Sequence, residues 1–376
     1  MKKLFVLALA VVLTLSLTAV ASAATFDPYI GGRITWSYVE SDHKDYDGNP
    51  VHLDNSGIKL LLKGKVTHEE TGTWGAIGAK IDGWPNDEGG LNGPNAIYDF
   101  GINNIGGSNF SIWYSNWENE NMNRGQGRIH DSAPAKYHED FLFDRDMANV
   151  IGIDYKTDKL AVNFGYVPDE NKKGDNDFQI AFTYNFDGGK VHAGYWSSAA
   201  VVSVPTISTI DNELKLTTIS GLCEVKEYII GGEFKAGFGT IKADYITLDC
   251  DDDIVTFDEE SKSKKVYKGK GGSGSLAQVN VSFDDLKFDV TLVYDDGYKF
   301  KNDGGYGYQI RYTGFDNITL AYRAFEADKK VDDHENFTDF YIGYKYGIFE
   351  TRLGYGTVGE GKDNDRLYAS VYISFW

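Results

Sequence analysis

Seven histidines, two cysteines and several carboxylate clusters are the residues of this chain best equipped for chemistry. His43, His52, His68, His130, His138, His192 and His334 show no zinc-type spacing to Cys223 or Cys250. A hydrolase needs a nucleophile and a base that converge on one site. Serine and aspartate are plentiful, but no spacing selects any of them, so the expectation is a protein that is not an enzyme and carries no metal or cofactor. The glycine-rich stretch 269–274 is no phosphate loop, because no helix follows it to supply a positive end; it has the composition of a flexible loop tip. Clustered acids at Asp249, 251–253 and 258–260 could hold a hard cation. They lack the twelve-residue calcium pattern, and a like-charge run is ordinarily a solvated rim.

The residues that could do chemistry are thus scattered, and the pattern that positions them is more informative. The 376 residues include 56 Asp and Glu against 37 Lys and Arg, a formal net charge of −19. Nucleic-acid binding needs a basic footprint, so the balance argues against it. Aromatic residues make up 14% of the chain, too many for an acidic disordered segment.

Residues 1–23 have the form of a secretory signal peptide. Lys2 and Lys3 precede an apolar run over 4–20, and Ala21, Ser22 and Ala23 give a small-residue cleavage site. Beyond it, no apolar run approaches the roughly 18 residues of a spanning helix.

From residue 24 onward the chain alternates with period two. Phe178, Ile180, Phe182, Tyr184 and Phe186 share one face of a strand, while Gln179, Ala181, Thr183 and Asn185 share the other. The pattern recurs at Leu160–Tyr166, Phe288–Tyr294, Tyr306–Tyr312 and Phe340–Tyr346, and the opposite faces carry Asn163, Asp289, Arg311, Asp339 and Lys345. Short turns near 67–72, 105–108, 157–159, 187–190, 236–237, 284–285, 315–317 and 346–347 alternate with long polar connections near 40–55, 83–94, 118–146, 168–176, 199–222, 250–273, 296–303, 327–335 and 358–365. This predicts an all-β chain, a transmembrane antiparallel up-and-down barrel of about 18 strands, with 16 as the alternative count. Low hydropathy suits it, since only alternate residues meet lipid, and so does the small number of prolines, 7 in all, because strand interiors must donate to the ladder. A soluble sandwich also alternates, but it does not keep one sense of turn asymmetry throughout.

The chain ends Leu367, Tyr368, Ala369, Ser370, Val371, Tyr372, Ile373, Ser374, Phe375, Trp376. An alternating last strand closed by an aromatic residue resembles the bacterial outer-membrane porins. The resemblance spans 24–376 as one barrel. It implies a water-filled pore in the cell outer membrane for passive diffusion of ions and small hydrophilic solutes. It implies Trp376 as the insertion signal met by the barrel-insertion machinery, outer-membrane lipid around the wall, and a homotrimer. A solute-specific channel, for sugars for example, and a structural or adhesive barrel are the alternatives.

In porins the connection after strand 5 folds into the barrel, and here it is the longest, near 118–146. Glu118, Glu120, Asp131, Glu139, Asp140 and Asp144 would make it an acidic constriction. Arg33, Lys59, Lys63, Arg311, Arg323, Lys345 and Arg352 fall on inward faces near the two chain ends, which closure brings together as a basic arc of wall. An acidic loop facing a basic arc would favour polar solutes, and the acid excess predicts weak cation preference. Inward Trp113, Trp196 and Tyr341 could stack on solute rings. Cys223 and Cys250 lie equally far from the turn 236–237, so a disulfide across that hairpin is expected in an oxidising compartment.

Overall fold

A computed structural model of the chain describes residues 24–44, 50–54, 57–83, 95–116, 149–167, 177–210, 213–250, 254–258, 263–267, 273–296, 305–327, 337–358 and 365–375. Eighteen strands form its wall: β1 Ala24–Lys44, β2 Gly57–His68, β3 Thr73–Gly83, β4 Asn95–Ile102, β5 Phe110–Ser115, β6 Val150–Lys156, β7 Leu160–Val167, β8 Asp177–Phe186, β9 Gly189–Ile210, β10 Glu213–Ala236, β11 Gly239–Cys250, β12 Ser273–Phe283, β13 Phe288–Asp296, β14 Gly305–Phe315, β15 Ile318–Ala327, β16 Phe337–Tyr346, β17 Phe349–Val358 and β18 Asp365–Phe375. Each pairs antiparallel with its neighbours in sequence. β18 closes the ring on β1, from Gly32 opposite Phe375 to Ser41 opposite Arg366. Closure leaves no sheet edge, the condition for a β wall in lipid. Three shorter strands sit outside the ring's order: Pro50–Asp54 folds back on β1, and Ile254–Asp258 pairs with Ser263–Tyr267.

The short connections fall where the sequence places turns, shifted by a residue or two. The β8–β9 turn is Asp187 and Gly188, with Gly188 at φ 96°, a conformation that glycine adopts without Cβ strain. The β10–β11 turn is Gly237 and Phe238 rather than 236–237, because Ala236 pairs with Gly239. The shift carries through the hairpin. Cys250 stands opposite Val225, and Cys223 sits two residues further out, so the expected direct opposition of the cysteines is corrected. Their side chains lie outside the described residues.

A larger correction concerns 199–222, expected as a long loop. β9 and β10 stay paired from Gly189 opposite Phe234 to Ile210 opposite Glu213. The Val-, Ile- and Thr-rich composition of this stretch suits a ladder, and the hairpin continues well beyond the length of the neighbouring strands.

Alternation decides the two faces. Ile180, Ile230, Leu292, Ile310, Ile342 and Leu353 are exposed on the outer surface, as lipid-facing positions must be. Aromatic pairs border this band. At the short-turn end are Phe110–Tyr155 (4.9 Å), Phe186–Phe234 (5.9 Å), Phe238–Phe283 (5.5 Å) and Tyr312–Phe315 (5.5 Å). At the long-loop end are Tyr98–Tyr114 (6.0 Å) and Tyr195–Tyr228 (4.8 Å). From Tyr306 to Phe315 the strand rises roughly 31 Å at about 3.4 Å per residue, or roughly 24 Å of height at a tilt near 40°, the thickness of a barrel's apolar band. On β18 Leu367 is exposed outward, whereas Ser370 is buried on the inner side. The phase of Leu367, Ala369, Val371, Ile373 and Phe375 is therefore the outer one.

Candidate functional site: the inner wall

The inward positions of the strands carry charged and amide side chains that a folded soluble core would reject. They are held in pairs and small networks across neighbouring strands. On β2, β4 and β5, Lys63 Nζ lies 2.6 Å from Asp99 Oδ2, and the Ser115 hydroxyl donates to Asp99 Oδ1 at 2.7 Å. On β13 and β14, Arg311 Nε donates to Asp289 Oδ2 at 2.9 Å.

The densest network joins β15, β16 and β18. Arg323 binds Asp339 through two donors, Nε to Oδ1 at 2.7 Å and Nη2 to Oδ2. The Tyr368 hydroxyl donates to Asp339 Oδ2 at 2.8 Å and accepts from Arg323 Nη2 at 3.0 Å. Tyr341 lies between two guanidiniums, with Arg323 5.1 Å and Arg352 5.3 Å from its ring centre, and Arg352 is also 5.3 Å from the Tyr372 ring. Arg352 is paired in turn with Glu350 at 2.8 Å. A fork-shaped guanidinium suits this combination of bidentate pairing and ring contact, which a lysine could not reproduce.

Across the barrel, His192 Nε2 on β9 lies 2.6 Å from Asp244 Oδ1 on β11, reaching over Gly231 of the intervening β10. A Cβ at Gly231 would collide with both partners, so the pair depends on that glycine. Trp113 likewise lies across Gly152 of β6, where a Cβ would enter the indole. Next to the histidine pair, Val225, Ile229, Ile246, Leu248 and Leu276 form a buried apolar patch on the inner face of β10–β12.

Of the basic arc expected from sequence, Lys63, Arg311, Arg323 and Arg352 are on the inner wall and each is paired with a carboxylate. The arc in the described residues is a ladder of compensated charges, not bare positive wall. Lys345 is exposed near the turn end of β16. Arg33 and Lys59 are opposed in register on β1 and β2, and their side chains lie outside the described residues. The proposed constriction residues Glu118, Glu120, Asp131, Glu139, Asp140 and Asp144 also lie outside them, as do Trp376 and residues 1–23. Trp113, Trp196 and Tyr341 are inward, but each is at most 5% exposed, so their rings are not open to the lumen for the solute stacking expected from sequence. Sequence reasoning placed Asp289 and Asp339 on inward faces without pairing them to Arg311 and Arg323, because pairing needs strand register. It missed His192–Asp244, whose partners are separated by an entire strand.

No family model matches the chain, and no curated protein matches it. Solved structures do. A mutant of the Rh. blastica porin is 11% identical and covers 93% of this chain and 100% of its own, with a TM-score of 0.51. A loop-deletion form of OmpT, an outer membrane protein of Vibrio cholerae, is 16% identical over 94% and 100%, with a TM-score of 0.48. An anion-selective porin from Comamonas acidovorans is 10% identical over 93% and 100%, with a TM-score of 0.46. At such identities what is shared is the fold: the chain has the barrel fold of a porin.

Proposed function

We propose that this chain is an outer-membrane porin, a pore for passive diffusion of ions and small hydrophilic solutes with weak cation preference. The observation that carries the reading is a closed ring whose outer face is an apolar band between aromatic girdles, while its inner face holds ion pairs and amides. Such a wall is stable only with lipid outside and a polar interior. Paired wall charges orient water and solute without giving the wall one strong sign. The selectivity is therefore assigned to groups beyond the compensated wall, the acid excess of the chain and the carboxylates Glu118, Glu120, Asp131, Glu139, Asp140 and Asp144. Insertion through Trp376 and assembly as a homotrimer belong to the same reading. Reversal potentials across a planar bilayer under a salt gradient test it, with potassium expected to be favoured modestly over chloride.

A further inference from the structure

The β9–β10 hairpin leaves the wall. The ladder of β9 to β8 ends at Ser197 opposite Phe178, and that of β10 to β11 ends at Val225 opposite Cys250. β9 and β10 stay paired beyond both, to Ile210 opposite Glu213. At about 3.4 Å per residue this ribbon runs roughly 40 Å past its neighbours. The two short strands join it, since Leu222 pairs with Val255 and Val255 with Val266. A sheet of four strands therefore extends the wall at the long-loop end. The ribbon's composition sets it apart from other long connections. Residues 199–210 carry no charge and 214–222 only Lys215, whereas 327–335 holds four acids.

Register gives the sheet an apolar outward phase. Val201, Leu222, Val255 and Val266 form one row across the four strands, and Ile207 with Leu216 a row nearer the tip. On β9 and β10 these positions share the phase of Tyr195 and of exposed Tyr228, which is the outer one. The edges are blunted against a further strand. Alternate residues of an antiparallel strand direct N–H to opposite neighbours. Gly189 closes a two-residue turn on Phe186 and faces β8. Pro205, an even number of residues on, takes the same sense toward an edge with no strand beside it among the described residues, and removes a donor there. The opposite edge carries Lys264 and Lys265. Contact through the face is thus favoured over strand addition. Below the sheet the wall is low: Val191, Gly232, Ala243 and Val279 form one outward level across β9–β12, between Tyr184 on β8 and Leu292 on β13.

We propose that the outward face of this sheet, with the wall of β9–β12 beneath it, is the contact surface for a second copy of this chain. Insertion gives every copy the same direction through the bilayer, so the sheet meets that of a neighbour at the same height. Rotation about an axis along the bilayer normal then closes a ring of copies. The area fits this occupant. Strand lengths and a spacing near 4.8 Å give the sheet a face of about 550 Å², less than the roughly 800 Å² per partner of a stable interface. Four strands of wall over the apolar band add about 450 Å² and carry the total past that mark. Neither part suffices alone. The proposal rests on the membrane-barrel reading and names the face through which its homotrimer forms.

The test places photoreactive benzoylphenylalanine at Leu216 or at Thr217 of the full chain, reconstituted sparsely in vesicles. Illumination should give covalent dimers from position 216 at least about tenfold more often than from 217, which has the opposite phase. Misfolding would lose both and cannot mimic the difference. Joining Ala200 to Cys223 through Asn-Gly, across a pair already in register, should yield monomers in native mass spectrometry while each barrel keeps its conductance. Equal yields from 216 and 217, dimers from neither, or a shortened chain that stays oligomeric would overturn the interface. Dimers from 216 in a chain that inserts but never conducts would support the contact and overturn the porin reading instead.

Discussion

Replacing Asp339 by Asn tests how dry the inner wall is. The Arg323 side chain is 8% exposed and that of Asp339 0%, and Asp339 accepts two hydrogen bonds from the guanidinium and one from Tyr368. Asn keeps the shape but removes the charge, leaving a guanidinium buried without its counter-ion. Breaking a buried pair in this way costs about 3–5 kcal/mol. An exposed pair contributes about 0–1 kcal/mol, and Glu233 with Lys190 and Lys242, at 3.8 and 3.9 Å with a quarter or more of each side chain exposed, is of that kind. Equilibrium unfolding in detergent micelles, followed by tryptophan fluorescence, should therefore separate Asp339→Asn from Glu233→Gln by about 3 kcal/mol. Tyr368→Phe should fall between them, near 1 kcal/mol. The double variant Arg323→Met with Asp339→Leu should regain most of the loss, because an apolar pair of similar volume replaces a buried ion pair at little cost. If Asp339→Asn lies within about 1 kcal/mol of wild type, lumen water solvates Arg323 and the buried-network argument is wrong.

Gly152→Val should displace Trp113 and cost about 1–3 kcal/mol through overpacking, with a changed near-UV spectrum as the readout. Ile310→Arg, at the middle of the outer face, should reduce the stability of the barrel folded in vesicles by about 2–4 kcal/mol, whereas arginine at Tyr306 near the rim should cost about 0–1 kcal/mol. Neutralising Glu118, Glu120, Asp140 and Asp144 together should move the reversal potential toward chloride, and an unchanged potential would remove the acidic segment from selectivity. A Cys223–Cys250 bridge now requires the outer strand ends to leave the register seen around Val225. An intact mass that gains two hydrogens on reduction would show the bridge, and an unchanged mass would remove it.

The barrel was legible because one property, period-two alternation, is written at every strand and changes sense only at turns. Phe178 through Phe186 shows both faces in nine residues. Register was not, because it depends on where a turn begins. Moving the β10–β11 turn from 236–237 to Gly237 and Phe238 shifts the partner of every β10 residue by two, enough to separate the cysteines. The same limit hid the site's energetics: Arg323 and Asp339 are both recognisable as inward, but their pairing requires knowing that β15 and β16 place them opposite each other. The hairpin over 199–222 was obscured by composition, since serine and threonine between valines suit both an exposed loop and a strand without a lipid-facing surface. His192–Asp244 was the least accessible, because it depends on a missing side chain, Gly231, on the strand between.

A porin requires that the closed ring enclose a conducting path. Purified full-length chain added to a planar lipid bilayer should give discrete, stable conductance steps that scale with salt concentration. A chain that folds and inserts into the bilayer yet gives no steps would contradict the porin assignment.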